Sequence, residues 1–196
     1  MYGEKNMKKS VGAKTIVYPT PVFIVGTYDK DEKPDVMAAA WGGISCSKPP
    51  CVSISLQKQR YTLENIIDRE AFTINIPSEN YVNEADYFGM VSGRDEDKFS
   101  KSGLTPVKSE IVDAPYIKEF PLILECKLVH KADLGMHIQL NGEIMDVKVD
   151  ENAVNSRGLP DITKIKPFIY DPADVAYYGI GKKLGQAFNL GNNIKK

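Results

Sequence analysis

Cys51-Val52-Ser53-Ile54-Ser55-Leu56-Gln57-Lys58-Gln59-Arg60-Tyr61-Thr62-Leu63-Glu64-Asn65-Ile66-Ile67 changes its period halfway along, and that change decides the fold class. Residues 51–56 alternate, which reads as a strand with one apolar face and small hydroxyls on the other. From Thr62 the period lengthens. Leu63, Ile66 and Ile67 fall on one face of a short helix, with Thr62 as its N-cap. Ala71 to Ile76 returns to period two, with Phe72, Ile74 and Ile76 on one face, and Pro77 ends it. The segment is a strand, a short helix and a second strand.

Upstream, Val22–Tyr28 and Asp35–Ala40 flank a charged turn and read as a hairpin, which Gly42-Gly43 interrupts. Downstream, residues 80–91 suggest a second helix, and Pro106 and Pro115 mark extended linking chain. Leu122–Lys131 and Met136–Val149 are long strand candidates, with Gly142 placing a bulge or bend in the second. Residues 160–172 read as irregular. The expectation is a single domain over residues 1–196, with a basic lead-in at 1–18 and a glycine- and lysine-rich C-terminal tail at 180–196. Some six strands with two short helical insertions suggest α+β, or a mainly β chain, a barrel with helices covering its ends.

Composition narrows the function. The formal net charge is -1, so binding nucleic acid by neutralising phosphates has no global support. The segment MYGEKNMKKS is basic, but no apolar stretch of signal-peptide length follows it, and no apolar run approaches the ~20 residues of a membrane span. The expectation is a cytoplasmic protein without a membrane partner. Cys46, Cys51 and Cys126 match no zinc, CxxC or iron–sulfur spacing and read as reduced thiols. His130 and His137 are the only histidines, which leaves little for a metal centre. Gly179, Gly181 and Gly185 make GxGxxxG rather than the dinucleotide fingerprint, and neither GxSxG nor a P-loop occurs.

Two segments carry candidate chemistry. A helix N-terminus presents unpaired N–H groups and a positive dipole end. Arg60 adds a forked cation beside it, and Thr62 a hydroxyl. With Ser53 and Ser55 these suit a phosphate monoester, although a capped surface helix with a solvated Arg accounts for the same spacing. In the second segment, Met37-Ala38-Ala39-Ala40-Trp41-Gly42-Gly43, three small side chains let a flat group approach the backbone and Trp41 could wall it. A tightly packed strand with one core Trp explains it equally well.

Taken in order, these residues resemble the flavin reductase-like family of FMN-binding split barrels, flavoredoxin type, over roughly residues 16–180. The resemblance rests on Met37–Trp41; Pro49-Pro50 with the Ser53/Ser55 strand and Arg60-Tyr61-Thr62; Asn75-Ile76-Pro77-Ser78; Ser92-Gly93-Arg94-Asp95 with Asp97-Lys98-Phe99; Gly103-Leu104-Thr105-Pro106; and Leu124-Glu125-Cys126. It implies a Greek-key-like split barrel, a homodimer, and FMN near the subunit interface. By the same resemblance Ala38, Ala39, Ala40 and Trp41 contact the isoalloxazine. Ser53, Ile54, Ser55 and Leu56 lie along the ribityl chain. Arg60, Tyr61 and Thr62 bind the phosphate, with Lys98 as a second cation.

Many relatives carry Gly-Asp-His where this chain has Gly135-Met136-His137. The retained His137 is the catalytic candidate, and it inclines the reading to an NAD(P)H-dependent flavin reductase that passes electrons to a flavin or another acceptor. The alternative is a flavoredoxin-like carrier with FMN as prosthetic group and a redox protein as electron donor. A split-barrel module without flavin is a third possibility, which the cation and hydroxyl set of Arg60, Thr62 and Lys98 argues against.

Overall fold

The computed structural model describes residues 7–194, so the first six residues of the expected lead-in and the last two of the tail lie outside it. Twelve strands follow in chain order: β1 (Thr20–Pro21), β2 (Phe23–Tyr28), β3 (Pro34–Ala39), β4 (Gly42–Ser47), β5 (Pro50–Gln57), β6 (Ala71–Ile76), β7 (Pro106–Lys108), β8 (Pro115–Ile117), β9 (Leu122–Asp133), β10 (His137–Val149), β11 (Phe168–Asp171) and β12 (Ala176–Gly179). Four α-helices intervene: α1 (Tyr61–Arg69), α2 (Val82–Met90), α3 (Lys98–Ser102) and α4 (Ile162–Ile165). The hairpin, the strand–helix–strand unit and the two long strands stand where their periodicity puts them.

Seven strands form one sheet in the order β3-β2-β6-β9-β10-β5-β4. Its two edges are β3 and β4, which are consecutive in the chain and separated only by Ala40 and Trp41. Laid flat, seven strands would hold their edges ~29 Å apart, whereas the three peptide steps from Ala39 to Gly42 reach at most ~11 Å. The sheet therefore has to roll up. A hydrogen bond from Ser55 N–H to the Trp41 carbonyl, 2.8 Å, ties the crossover to β5. The edges are joined by this short span and not by a full ladder, which makes a split barrel of the mainly β class that the sequence predicts.

Rolling separates two cores. Val25, Met37, Val52, Ile54, Leu56, Phe72, Ile74 and Leu140 fill the interior, with Leu63 and Ile66 of α1 packed among them. On the outer face of β2, β3 and β9, Ile24, Val36 and Ile123 meet Phe88 of α2, Phe99 of α3, Ile117 of β8 and Phe168 of β11. With apolar neighbours on both sides, β2 is buried almost throughout and loses the alternation of a one-faced strand.

Several elements differ from expectation. Gly42-Gly43 opens β4 instead of breaking the pattern. Pro106 and Pro115 begin a small antiparallel pair, β7–β8, not linking chain. Residues 160–172 hold α4 and β11, and β11 joins β1 and β12 in a three-stranded sheet. The N-cap of α1 is Arg60, and no side chain caps it. Thr62 sits inside the first turn. Gly142 does mark an irregularity, a register shift between Asn141 and Gly142.

Gly42 lies where the crossover enters β4. A Cβ there would stand 2.7 Å from the Ser53 carbonyl oxygen and 3.0 Å from Phe23 Cε2, whereas one at Gly43 meets nothing within 4 Å. Gly42→Ala is expected to cost about 1–3 kcal/mol through forced backbone movement, and Gly43→Ala less than about 0.5 kcal/mol. Urea unfolding of the two variants beside the wild type checks the contrast.

Candidate functional site

Residues 37–41 run along the seam, and three cavities open onto them in sequence. Met37 borders a cavity of about 290 Å³ with Arg60, Tyr61, Thr62, Gly93 and Lys98. Ala38, Ala39 and Ala40 border a second of about 270 Å³, beside Gly89 of α2 and Tyr170 and Tyr177 of the small sheet. Trp41 borders a third of about 410 Å³ with Ser55, Leu134, His137 and the segment Lys14–Val17. A larger cavity, about 760 Å³ between α4 and residues 180–183, is lined by none of the sequence-predicted site residues.

The first cavity gathers charge. The turn after β5, closed by the Arg60 N–H on the Gln57 carbonyl at 3.0 Å, delivers Arg60 to the start of α1, where its side chain is exposed and forms no ion pair or side-chain hydrogen bond among the described residues. Lys98 enters from α3, buried at 3% exposure. Its ammonium donates to the Val36 carbonyl and stands 3.3 Å from Asp35 Oδ1. Burial pulls the Lys98 pKa below the ordinary lysine value; Asp35 opposes that pull, and the charge of Arg60 adds to it. Thr62, equally buried, donates its hydroxyl to Asp35 Oδ2 at 2.8 Å. Asp35 Oδ1 is buried without a hydrogen bond and lies against Gly93, where a Cβ would come within 2.1 Å of it.

Tyr61 also lines this cavity. Its hydroxyl donates to Asp29 Oδ2 at 2.9 Å, and the Arg94 guanidinium lies 4.7 Å from its ring centroid. Arg94 is engaged elsewhere, with Glu64 at 2.6 Å and the Gln59 carbonyl at 3.2 Å. Burial opposes the charge on Asp29, but N–H groups of Lys33 and Asp31 and the Tyr61 hydroxyl outweigh it and hold the carboxyl below its ordinary value. Tyr61 is pushed up to about 12, first by burial and then by that hydrogen bond.

The structure thus assembles Arg60, Tyr61, Thr62 and Lys98 around one cavity and places Trp41, Ser55 and His137 at another. Ser53 donates to the Gly43 carbonyl at 3.3 Å, which leaves its oxygen partly used. Ile54 and Leu56 line neither of these two cavities. Their side chains are 0% and 2% exposed in the barrel interior, because even-numbered positions of β5 face inward, so any contact of theirs with a ligand runs through the backbone. Thr62 lines the first cavity, and its hydroxyl proton is committed to Asp35. Asp35 escaped the sequence reading. It sits at a strand start after Pro34, and nothing local connects it to Thr62 or Lys98. Arg94 lay in a quoted motif, but its position over Tyr61 had no local signal.

Among the described residues no three His, Cys, Asp or Glu side chains group as a metal site, and no helix is long and apolar enough to cross a membrane.

With that geometry in view, the family model described as flavin reductase like domain matches residues 15–175. The flavoredoxin of Desulfovibrio vulgaris (Miyazaki F) is 55% identical, with a TM-score of 0.91 over 94% of this chain and 100% of that one. The flavoredoxin from Methanosarcina acetivorans is 30% identical, with a TM-score of 0.86 over 97% and 99% of the two chains. An uncharacterized protein of Archaeoglobus fulgidus is 31% identical over 131 residues, 67% of this chain and 73% of its own.

Removing one partner of a buried ion pair leaves an uncompensated charge. Lys98→Met is therefore expected to lower stability by about 3–5 kcal/mol, and adding Asp35→Asn to recover a substantial part. Chemical denaturation of single and double variants measures both. Tyr61 supplies a pH signature. Its phenol titrates near 10.0 when unfolded and near about 12 when folded, so above pH 10 the unfolded chain releases a proton that the folded chain keeps. Its contribution is complete below pH 10 and is lost as pH rises to about 12. Between those values stability should fall less steeply in Tyr61→Phe than in wild type.

Proposed function

The chain belongs to the flavin reductase-like domain family, and from that premise we propose that it is a flavoprotein that holds FMN along the barrel seam and moves electrons through it. One observation carries this reading: an uncapped helix N-terminus, an unpaired Arg60 and the buried Lys98 converge on one cavity at the end of the Met37–Trp41 seam. The donor set suits a phosphate monoester. Lys98 donates to the Val36 carbonyl and keeps further N–H groups, and Asp35 at 3.3 Å offsets its charge. Net attraction for a dianion therefore falls to Arg60 and the α1 dipole. Bound FMN supplies the redox chemistry, accepting a hydride or exchanging single electrons. The alanine trio admits a flat ring system close to the backbone, and Trp41 closes one side of the third cavity.

The electron donor is the finer point. The cavity bounded by Trp41, Ser55 and His137 favours NAD(P)H, because a nicotinamide must reach contact distance of the flavin, and at its border Lys14 can attract phosphates and His137 can offer a ring N–H. A redox-protein donor is the second reading, favoured by the 55% identity to a flavoredoxin. The proposal includes a homodimer, in which a second copy would cover Leu184 and Phe188, apolar side chains exposed on the C-terminal segment. Light scattering should give twice the chain mass.

Purified protein is expected to bind FMN and release FMN, not FAD, on denaturation; a chain that takes up no added FMN overturns the reading. Arg60→Ala should weaken FMN binding about tenfold to a hundredfold, the worth of one charge-assisted hydrogen bond, and leave riboflavin binding nearly unchanged. Anaerobic stopped-flow bleaching separates the donors. Rapid bleaching by NADH or NADPH, slowed in His137→Ala with FMN affinity intact, supports the pyridine nucleotide. Negligible wild-type bleaching by both supports the carrier.

A further inference from the structure

The β4–β5 hairpin carries two of the three cysteines, and the cofactor reading uses neither. Cys46 and Cys51 are Cα partners across the hairpin, one pair inward from Ser47 and Pro50 at its turn. A bulge produces that pairing. The register runs Gly42↔Ile54, Gly43↔Ser53, Ile44↔Val52, then shifts so that Ser45 is left over and Cys46 falls opposite Cys51. Had the register continued, Ser45 would face Cys51 and Cys46 would face Pro50. Directly opposed residues of antiparallel strands project to the same face with Cα atoms ~4.5–5.5 Å apart. A disulfide needs ~4.4–6.8 Å.

The thiols differ in environment as an entry thiol and a resolving thiol should. Cys46 is exposed, and its Sγ lies 3.3 Å from the Lys48 carbonyl. Cys51 is 7% exposed, and burial raises the pKa of its thiol above the ordinary value. Cys126 is fully buried in the barrel core and pushed up to about 12 by burial, which removes it from reaction with solvent oxidants.

We propose that Cys46 and Cys51 are a reversible dithiol–disulfide site on the β4–β5 hairpin, oxidised by low-molecular-weight disulfides. The Cys46 thiolate attacks one sulfur of the small disulfide and expels the other as thiolate, leaving a mixed disulfide on Cys46. Cys51 gives up its proton, attacks the Cys46 sulfur and expels the second small thiol. Two protein thiols are oxidised to one disulfide, and one small disulfide is reduced to two thiols. A small dithiol reverses the exchange. The proposal does not rest on the cofactor reading.

The test uses 5,5′-dithiobis(2-nitrobenzoate) on the native, reduced full chain. Wild type is expected to release two equivalents of thionitrobenzoate per chain, lose the mass of two hydrogens, and yield a peptide linking Cys46 to Cys51. Cys51→Ala should release one equivalent and retain the adduct on Cys46. Cys46→Ser, at an exposed position that leaves the core intact, should release almost none until unfolded, and Cys126→Ala should match wild type. Wild type that stops at one equivalent with a stable adduct, or a linkage joining Cys46 of two chains, overturns the proposal.

Discussion

Three peptide steps join the two edges of a seven-stranded sheet, and the rest of the molecule follows from that constraint. A chain that leaves β3 at Ala39 and enters β4 at Gly42 cannot span a flat sheet, so the strands curl until the edges meet. Curling gives the sheet an inside, which apolar residues of six strands fill, and α1 packs its Leu63 and Ile66 into it. It also leaves an outer face under β2 and β3 that α2, α3, β8 and β11 must cover. The seam, where no full ladder can form, becomes the place where backbone and cavities meet. Residues 37–41 are therefore both the closure of the barrel and the spine of the candidate site.

Electrostatics at the head of that spine depends on which charges are already committed. Lys98 has the greatest burial and the least freedom, with Val36 and Asp35 fixing its ammonium. Arg94 is held by Glu64 and Gln59 over the Tyr61 ring. Asp35 also takes the Thr62 proton, so the one carboxylate organises a lysine, a threonine and a glycine contact from three separate elements. Such a cluster is costly to disrupt in part and supplies little net charge outward. Among the described cations at this cavity, Arg60, exposed beside an uncapped helix end, is left free to meet an anion. The hydroxyl and ammonium groups that look equivalent to Arg60 in a list of residue types are thus unequal in the fold.

The sequence by itself determined the elements that local period can report. The β2–β3 hairpin, the β5–α1–β6 unit and the two long strands with their irregularity at Gly142 follow from alternation, from a helical face at Leu63 and Ile66, and from glycine placed where pairing shifts. Residue chemistry at Arg60–Thr62 and the small-residue run at Ala38–Ala40 were legible for the same reason, since each motif is contiguous. Only the tertiary structure decided the others. β7, β8, β11 and β12 are short strands, and they and the glycine-led β4 are defined by the partner each one finds and not by a periodicity of their own. Asp35 meets Thr62 from 27 positions away, and the bulge that sets Cys46 against Cys51 exists only once β5 is beside β4. Period tells which side of a residue faces water. Which strand lies beside which is set by distant backbone pairing and by the geometry of closure, and a one-dimensional pattern carries neither.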